Sequence, residues 1–391
     1  MDDLETISDF YGPPPAAPPA LERRIRTGFA ARRRRPHLWP GLGAGLVAAS
    51  AAAALLVSAG DDGSERTTPR TTATSRPVAL DAQGILLAAA SSSRKEPLTT
   101  GTYWRTRVMQ GGHRVIPGKD YLVEHRQQTE FWRSTKDGMR EYFVATDLGY
   151  RPLDQEAWRR DGSPKVWRFK LPDEVGDDYV IKHSPQVLRM AGGKERVQFY
   201  PGRSGLGQIA GEEITPKLLA ALPTDGERLY KWITSRLNRL SAAAAPENRA
   251  RPAEKAHLET NELFQLGVTL ISQAPSSPEL RAAAYEMLAL IPTVEARGEV
   301  TDPLGRKGVA VALPGQATQY KIENGRMVPD GDRFDRLLIV DPATGKVLST
   351  TSVITESELG PPGRLMDYDA FQDSGWEARV PAKFKHARPV V

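Results

Sequence analysis

Residues 102–109, 121–134 and 140–146 read TYWRTRVM, YLVEHRQQTEFWRS and REYFVAT, and their pattern decides the fold. Apolar and polar side chains alternate, with Tyr103, Trp104 and Val108, then Leu122, Phe131 and Trp132, then Tyr142, Phe143 and Val144 as the bulky members. A period of two with aromatic and β-branched residues suits strands that bury one face. Gly111-Gly112, Pro117-Gly118 and Asp137-Gly138 punctuate the three segments; proline presets a turn dihedral and glycine admits a left-handed one. The spacing predicts an antiparallel meander. Trp158, Trp167 and Phe169 continue it as a strand-and-loop stretch interrupted by Pro164 and Pro172.

Outward from the meander, the period changes. From Thr215 to Ile291 apolar residues recur every three or four positions: Leu218, Leu219 and Leu222; Leu229, Trp232, Ile233 and Leu237; Leu258, Leu263, Leu266 and Leu270; Leu280, Ala284, Met287, Leu288 and Ile291. That is the stripe of three or four amphipathic helices, with residues 241–252 (SAAAAPENRARP) as an exposed connection. Strand patterns return over 294–300, 307–313, 334–340 and 346–354. Asp341-Pro342-Ala343-Thr344-Gly345 joins the last two as a hairpin turn. On the other side, Asp81 caps a helix whose Ile85, Leu86 and Ala89 share a face and which ends before Pro97. Sheet, helices and sheet predict an α+β domain over residues 80–391, in which the two strand groups join in one curved antiparallel sheet with the mid-chain helices packed across it.

Farther toward the N-terminus, residues 38–59 (LWPGLGAGLVAASAAAALLVSA) carry no charge. A bilayer core of about 30 Å asks for about 20 such residues in a helix. Arg32, Arg33, Arg34 and Arg35 precede the run and Asp61, Asp62 and Glu65 follow it. The excess of cationic residues marks the cytoplasmic side, so the expectation is a single-pass protein of the cell membrane with a cytoplasmic tail (1–37), a transmembrane helix (38–59), a Thr/Ser/Pro-rich tether (60–79) and an extracytoplasmic domain with the C-terminus outside. The rival reading is a secretory signal cleaved after Ala59, where Val57-Ser58-Ala59 offers small residues. Gly41 and Gly45 form a GxxxG pair in the helix.

Composition narrows the chemistry. With no cysteine among 391 residues, disulfide frameworks, cysteine nucleophiles and thiolate zinc sites fall away together. The net charge of +5 includes a tail of seven arginines and five acids, so the rest is nearly balanced. Nucleic acid is not an expected partner, and Arg32–Arg35 read as a topology determinant touching anionic lipid headgroups. His37, His113, His125, His183, His257 and His386 never take the H-E-x-x-H or H-x-H spacing, so neither a metal nor another cofactor is expected. There is no G-x-S-x-G elbow and no Walker loop; Gly202-Arg203-Ser204-Gly205-Leu206-Gly207 reads as a mobile loop. The acidic pairs Asp173-Glu174, Asp177-Asp178 and Glu212-Glu213 adjoin turn residues, where carboxylates cap and are solvated. No catalytic residue stands out, and an enzyme is not expected. Tyr103, Trp104, Trp132 and Trp167 are the candidate ligand-binding residues, because aromatic side chains on a curved sheet can hold an acyl chain or an aromatic group.

Several segments carry a resemblance: the basic N-terminal helix ending in an arginine cluster, the alanine-rich span, GTYWRTR at 101–107, GRKGVAV at 305–311 and LIVDPATGKVL at 338–348. Together they look like an uncharacterised family of actinobacterial single-pass membrane proteins, over nearly the whole chain. That resemblance implies a cell-envelope protein whose gene often lies beside an extracytoplasmic-function sigma factor. A more distant likeness, to the half-barrels of lipoprotein carriers and sigma regulators, is one of fold alone. The expected function is binding, of an envelope protein or a lipid, in a sensory or regulatory role. The alternatives are a lipid or glycan carrier and an envelope hydrolase with an unrecognised site.

Overall fold

The computed structural model describes residues 81–135, 140–169, 186–193, 195–201, 206–209, 211–243, 252–323, 326–357 and 361–389. The expected tail, membrane helix, cleavage point and tether lie outside the described residues, as does the glycine-rich stretch at 202–205. Among the described residues no helix is long and apolar enough to cross a membrane.

Among the described residues, fourteen strands and six α-helices follow in order. α1 (Ala82–Ser93) leads into β1 (Tyr103–Val115), β2 (Leu122–Ser134) and β3 (Arg140–Pro152), the predicted meander. α2 (Gln155–Arg160), β4 (Val166–Phe169), β5 (Gln186–Arg189), β6 (Glu195–Pro201), β7 (Gln208–Ile209) and β8 (Glu212–Glu213) come next. The helical third holds α3 (Pro216–Ala221), α4 (Gly226–Ala243), α5 (Pro252–Ser272) and α6 (Pro278–Ala289). β9 (Glu295–Thr301), β10 (Lys307–Glu323), β11 (Arg326–Asp341), β12 (Lys346–Glu356), β13 (Leu365–Glu377), a 3₁₀ turn (Ala382–His386) and β14 (Arg388–Pro389) complete the chain.

Ten strands form one open sheet in the order β14-β6-β3-β2-β1-β13-β12-β11-β10-β9. All neighbours are antiparallel except the short β14–β6 pair. The two strand groups do join in one sheet, through β13, which pairs with β1 on one side and β12 on the other. The domain is therefore α+β, with a large antiparallel sheet and a helical layer.

Local chemistry explains the ends of the helices. The Asp81 carboxylate accepts from the Gly84 N–H at 2.7 Å, as its capping role requires. Thr215 and Ser277 cap α3 and α6 in the same way, each followed by a first-turn proline whose missing N–H costs nothing there. The main core lies between the helices and the β9–β12 end of the sheet, where Val311, Leu313, Leu338 and Val340 meet Leu86, Ile233, Phe264, Leu270 and Leu288. Most apolar positions of the helical stripes are buried there, with Trp232 and Leu237 partly buried against the core and Leu258 half exposed near the start of α5. Tyr285 is fully buried and donates to the Gly345 carbonyl at 3.0 Å, tying α6 to the turn between β11 and β12. That turn is the predicted one: Gly345 has φ 67°, and the Ala343 and Gly345 N–H groups both return to Asp341.

Candidate functional site

The aromatic residues singled out in the sequence divide among three places. Trp167 is buried in a small cluster with Ile116, Tyr121, Val123 and Ala157, beyond the β1–β2 turn. Its indole N–H donates to the Tyr121 hydroxyl at 2.8 Å, which donates onward to Asp161 at 2.7 Å. Trp132 packs with Val144 and Phe384, and Tyr103 lies against that cluster. The Phe384 ring stands edge-on to Trp132 at 6.2 Å, so the C-terminal 3₁₀ turn covers this side of the sheet. Trp104 belongs to neither. It opposes Trp376 on β13 and Arg133 on β2, on the face that meets the helices.

Around Trp104 the structure builds a cleft of about 460 Å³, within the usual range for binding pockets. Its cause is a split in the sheet. β12 and β13 pair from Val353–Leu365 to Ser349–Ala370 and then part. Arg306 fills the start of the gap, donating to the Phe371 carbonyl and to the Leu348 carbonyl, each at 2.6 Å. One guanidinium therefore bridges two carbonyls of strands that no longer pair. Asp302, whose side chain is wholly buried, fixes that guanidinium through Nε and Nη2. Beyond it the walls are Val347 on β12, Trp104 and Trp376, Ile271 and Ser276 at the α5–α6 connection, and Pro97 after α1.

The aromatic pair meets edge to face, ring centres 5.2 Å apart, a favoured aromatic geometry. Two polar groups in this wall lack partners. Trp104 is 7% exposed and Ser276 5%, yet neither the Trp104 indole nitrogen nor the Ser276 hydroxyl finds a hydrogen bond. A buried donor without a partner costs about 1–3 kcal/mol, so two residues of this wall carry an under-satisfied group. Of the charges nearby, Arg281 pairs with Glu96 and Asp373 with Arg105 at 2.9 Å, while Lys346 is exposed.

Other hollows and clusters fit a ligand less well. A larger one of about 560 Å³ lies near the β1–β2 turn, lined by Lys119, Asp120, Leu153 and Pro361. There Lys119 is engaged by Asp161, and Asp120 by Arg160. A smaller polar one of about 170 Å³ separates α5 from β11–β13. Into it faces Asp369, whose carboxyl burial pushes above its ordinary range although Gln110 donates to it at 2.8 Å. On the opposite face of the sheet Glu124 is buried and accepts from Tyr368 at 2.8 Å and from Arg151. His113, its neighbour across β1–β2, accepts from the Leu365 N–H, and burial holds its pKa below the usual value. Each of these groups has a hydrogen-bond partner within the fold. Among the described residues no group of three or more His, Asp or Glu is placed to hold a metal ion.

The signal for this cleft in the sequence was limited to Trp104. Trp376, Arg306 and Ser276 come from segments about 170 to 270 positions away, and no sequence pattern marks them as partners of Trp104. GRKGVAV, in which Arg306 lies, stood out only as a shared segment.

No family model matches the chain, and no curated protein does. Among solved structures, the complex of Pseudomonas aeruginosa MucA/MucB aligns with 78% of this chain at 12% identity and a TM-score of 0.21. The match spans 60% of the chain it aligns with in that structure. At that score the likeness carries no argument about the site.

Proposed function

We propose that the chain is a single-pass envelope protein whose outer domain is a binding module, with the cleft between β12, β13 and the α5–α6 connection as its site. The reading rests on one observation: a cleft of about 460 Å³ opens where β12 and β13 part, walled by an aromatic pair and by residues whose polar atoms the fold leaves without partners. The charge asymmetry around residues 38–59 supports an outer position for the domain. A short tail joined by one helix to a large outer domain suits a regulatory or sensory role, in which the tail reports on what the outer domain holds.

A lipid carrier draws less support. Such a carrier needs a continuous apolar groove, whereas Trp132 and Trp167 belong to separate packed clusters. The test is retention of envelope components by the full-length chain in detergent, compared with the Ser374→Trp variant, which places an indole in the cleft from an exposed position of β13. A species held by the native chain and released by the variant is the expected result. Identical retention by both refutes the cleft as the site.

A further inference from the structure

Beyond Ala370, β13 continues to Glu377 and stays paired with β1 through Asp373–Arg107, Ser374–Thr106, Gly375–Arg105, Trp376–Trp104 and Glu377–Tyr103. On its other side β12 has turned away, and among the described residues no backbone group takes its place there. Backbone N–H and C=O groups in a strand point alternately to the two sides. Gln372 is the extra residue of a bulge in the β1 pairing, and half of the backbone groups between Asp373 and Trp376 therefore face the cleft. This is an internal sheet edge, opened inside a walled site.

Natural sheets guard their outer edges with charge. β9, at one outer edge, follows this rule with Glu295, Arg297 and Glu299 exposed along it. The β13 edge differs: its charges, Asp373 and Glu377, are both taken up by a neighbouring arginine, Arg105. On the face toward the helices it carries Phe371, Ser374 and Trp376, and Ser374 is exposed. Arg306 also marks the place where pairing stops, since its guanidinium already satisfies the carbonyl of Phe371.

Resting on the reading of the cleft as the binding site, we infer that its ligand is an extended segment of a partner protein, which adds to β13 as a strand along Asp373–Trp376. A peptide backbone matches a row of alternating donors and acceptors; a lipid chain would cover the same row and leave it unpaired, at a cost for every group buried. Charge selects further. Glu96, Asp302 and Asp373 are matched by Arg281, Arg306 and Arg105, while the exposed Lys346 adds a positive charge at the mouth. The segment that fits has apolar residues for Trp104 and Trp376 at every second position and an acidic residue near Lys346.

The test pans a phage-displayed random heptapeptide library against the full-length chain in detergent and resynthesises the enriched peptides in two forms, N-methylated on alternate amides of one edge or of the other. Strand addition uses one edge only. One methylated form should therefore bind at least about tenfold more weakly and the other within about twofold of the parent, because several backbone hydrogen bonds are lost in the first alone. Amide exchange at residues 373–376 should slow in the complex, and Ser374→Trp should abolish binding. Peptides that bind the native chain but tolerate both methylation patterns overturn strand addition and leave the cleft as a site. No enrichment, with envelope components still released by Ser374→Trp, overturns the peptide as occupant. Peptides that bind Ser374→Trp as well as the native chain overturn both.

Discussion

Gly345 offers the sharpest test of how the turn, the first helix and the sheet hold together. It has φ 67°, where a side chain is strained by about 1–2 kcal/mol. A Cβ there would also stand 2.6 Å from the Ala89 carbonyl oxygen and 2.9 Å from the Ser93 nitrogen, both backbone atoms of α1 that cannot rotate away. Gly305 has φ 82° but nothing within 4 Å of its would-be Cβ. Gly305→Ala should therefore cost about 1–2 kcal/mol, from the dihedral alone. Gly345→Ala should cost about 2–5 kcal/mol, the same strain plus roughly 1–3 from overpacking against the helix. The added part pushes the turn away from Tyr285, whose hydroxyl donates to the Gly345 carbonyl. Urea unfolding of both variants, compared at unchanged slope, measures the difference. Equal costs would refute the packing of α1 on the β11–β12 turn.

Trp132→Ala should destabilise by about 3–5 kcal/mol because its ring fills a covered cluster, whereas Trp376→Ala, which only widens an open cleft, should cost clearly less; thermal unfolding of the two ranks them. Burial raises the Asp369 carboxyl, so the folded state holds that proton to higher pH than the unfolded chain and stability falls as pH climbs from the ordinary carboxylate value through the raised one. Asp369→Asn keeps an acceptor for Gln110 and should flatten that limb of the stability-against-pH curve; an unchanged curve counts against it. His113 runs the other way, because burial lowers its pKa: stability should be lost as pH falls from the ordinary histidine value through the lowered one, and His113→Gln should remove that loss. Replacing Arg32–Arg35 by alanine, asparagine and serine should give mixed orientation, read by a reporter fused after Val391 that works only outside the cytoplasm.

Local rules carried much of the fold. The caps at Asp81 and the turn at Asp341–Gly345 were legible because a side chain bonding its own next residues, or a glycine at positive φ, depends on nothing distant. The meander and the helical stripes were legible because one face of each is buried, and periodicity records that face. β13 was not. Its sequence LMDYDAFQDSGWE lacks a clean alternation, since Asp367 and Asp369 face a polar hollow and Ser374 an open cleft. The site itself was hidden for the same reason. It exists because β12 and β13 part, and that divergence is set by Arg306 and by connections distant in sequence. Composition could suggest that aromatic residues matter, but not that Trp104 alone of the four would line the cleft.

The binding claim is tested most directly inside cells that make the protein, with a photo-crosslinking benzophenone side chain placed at Ser374 and, as a control, at Glu299 on the charged outer edge. Both positions are exposed and lie on strands of the same sheet. Discrete protein adducts are expected from Ser374 and absent from Glu299. Adducts from both alike, or from neither, would contradict the binding claim.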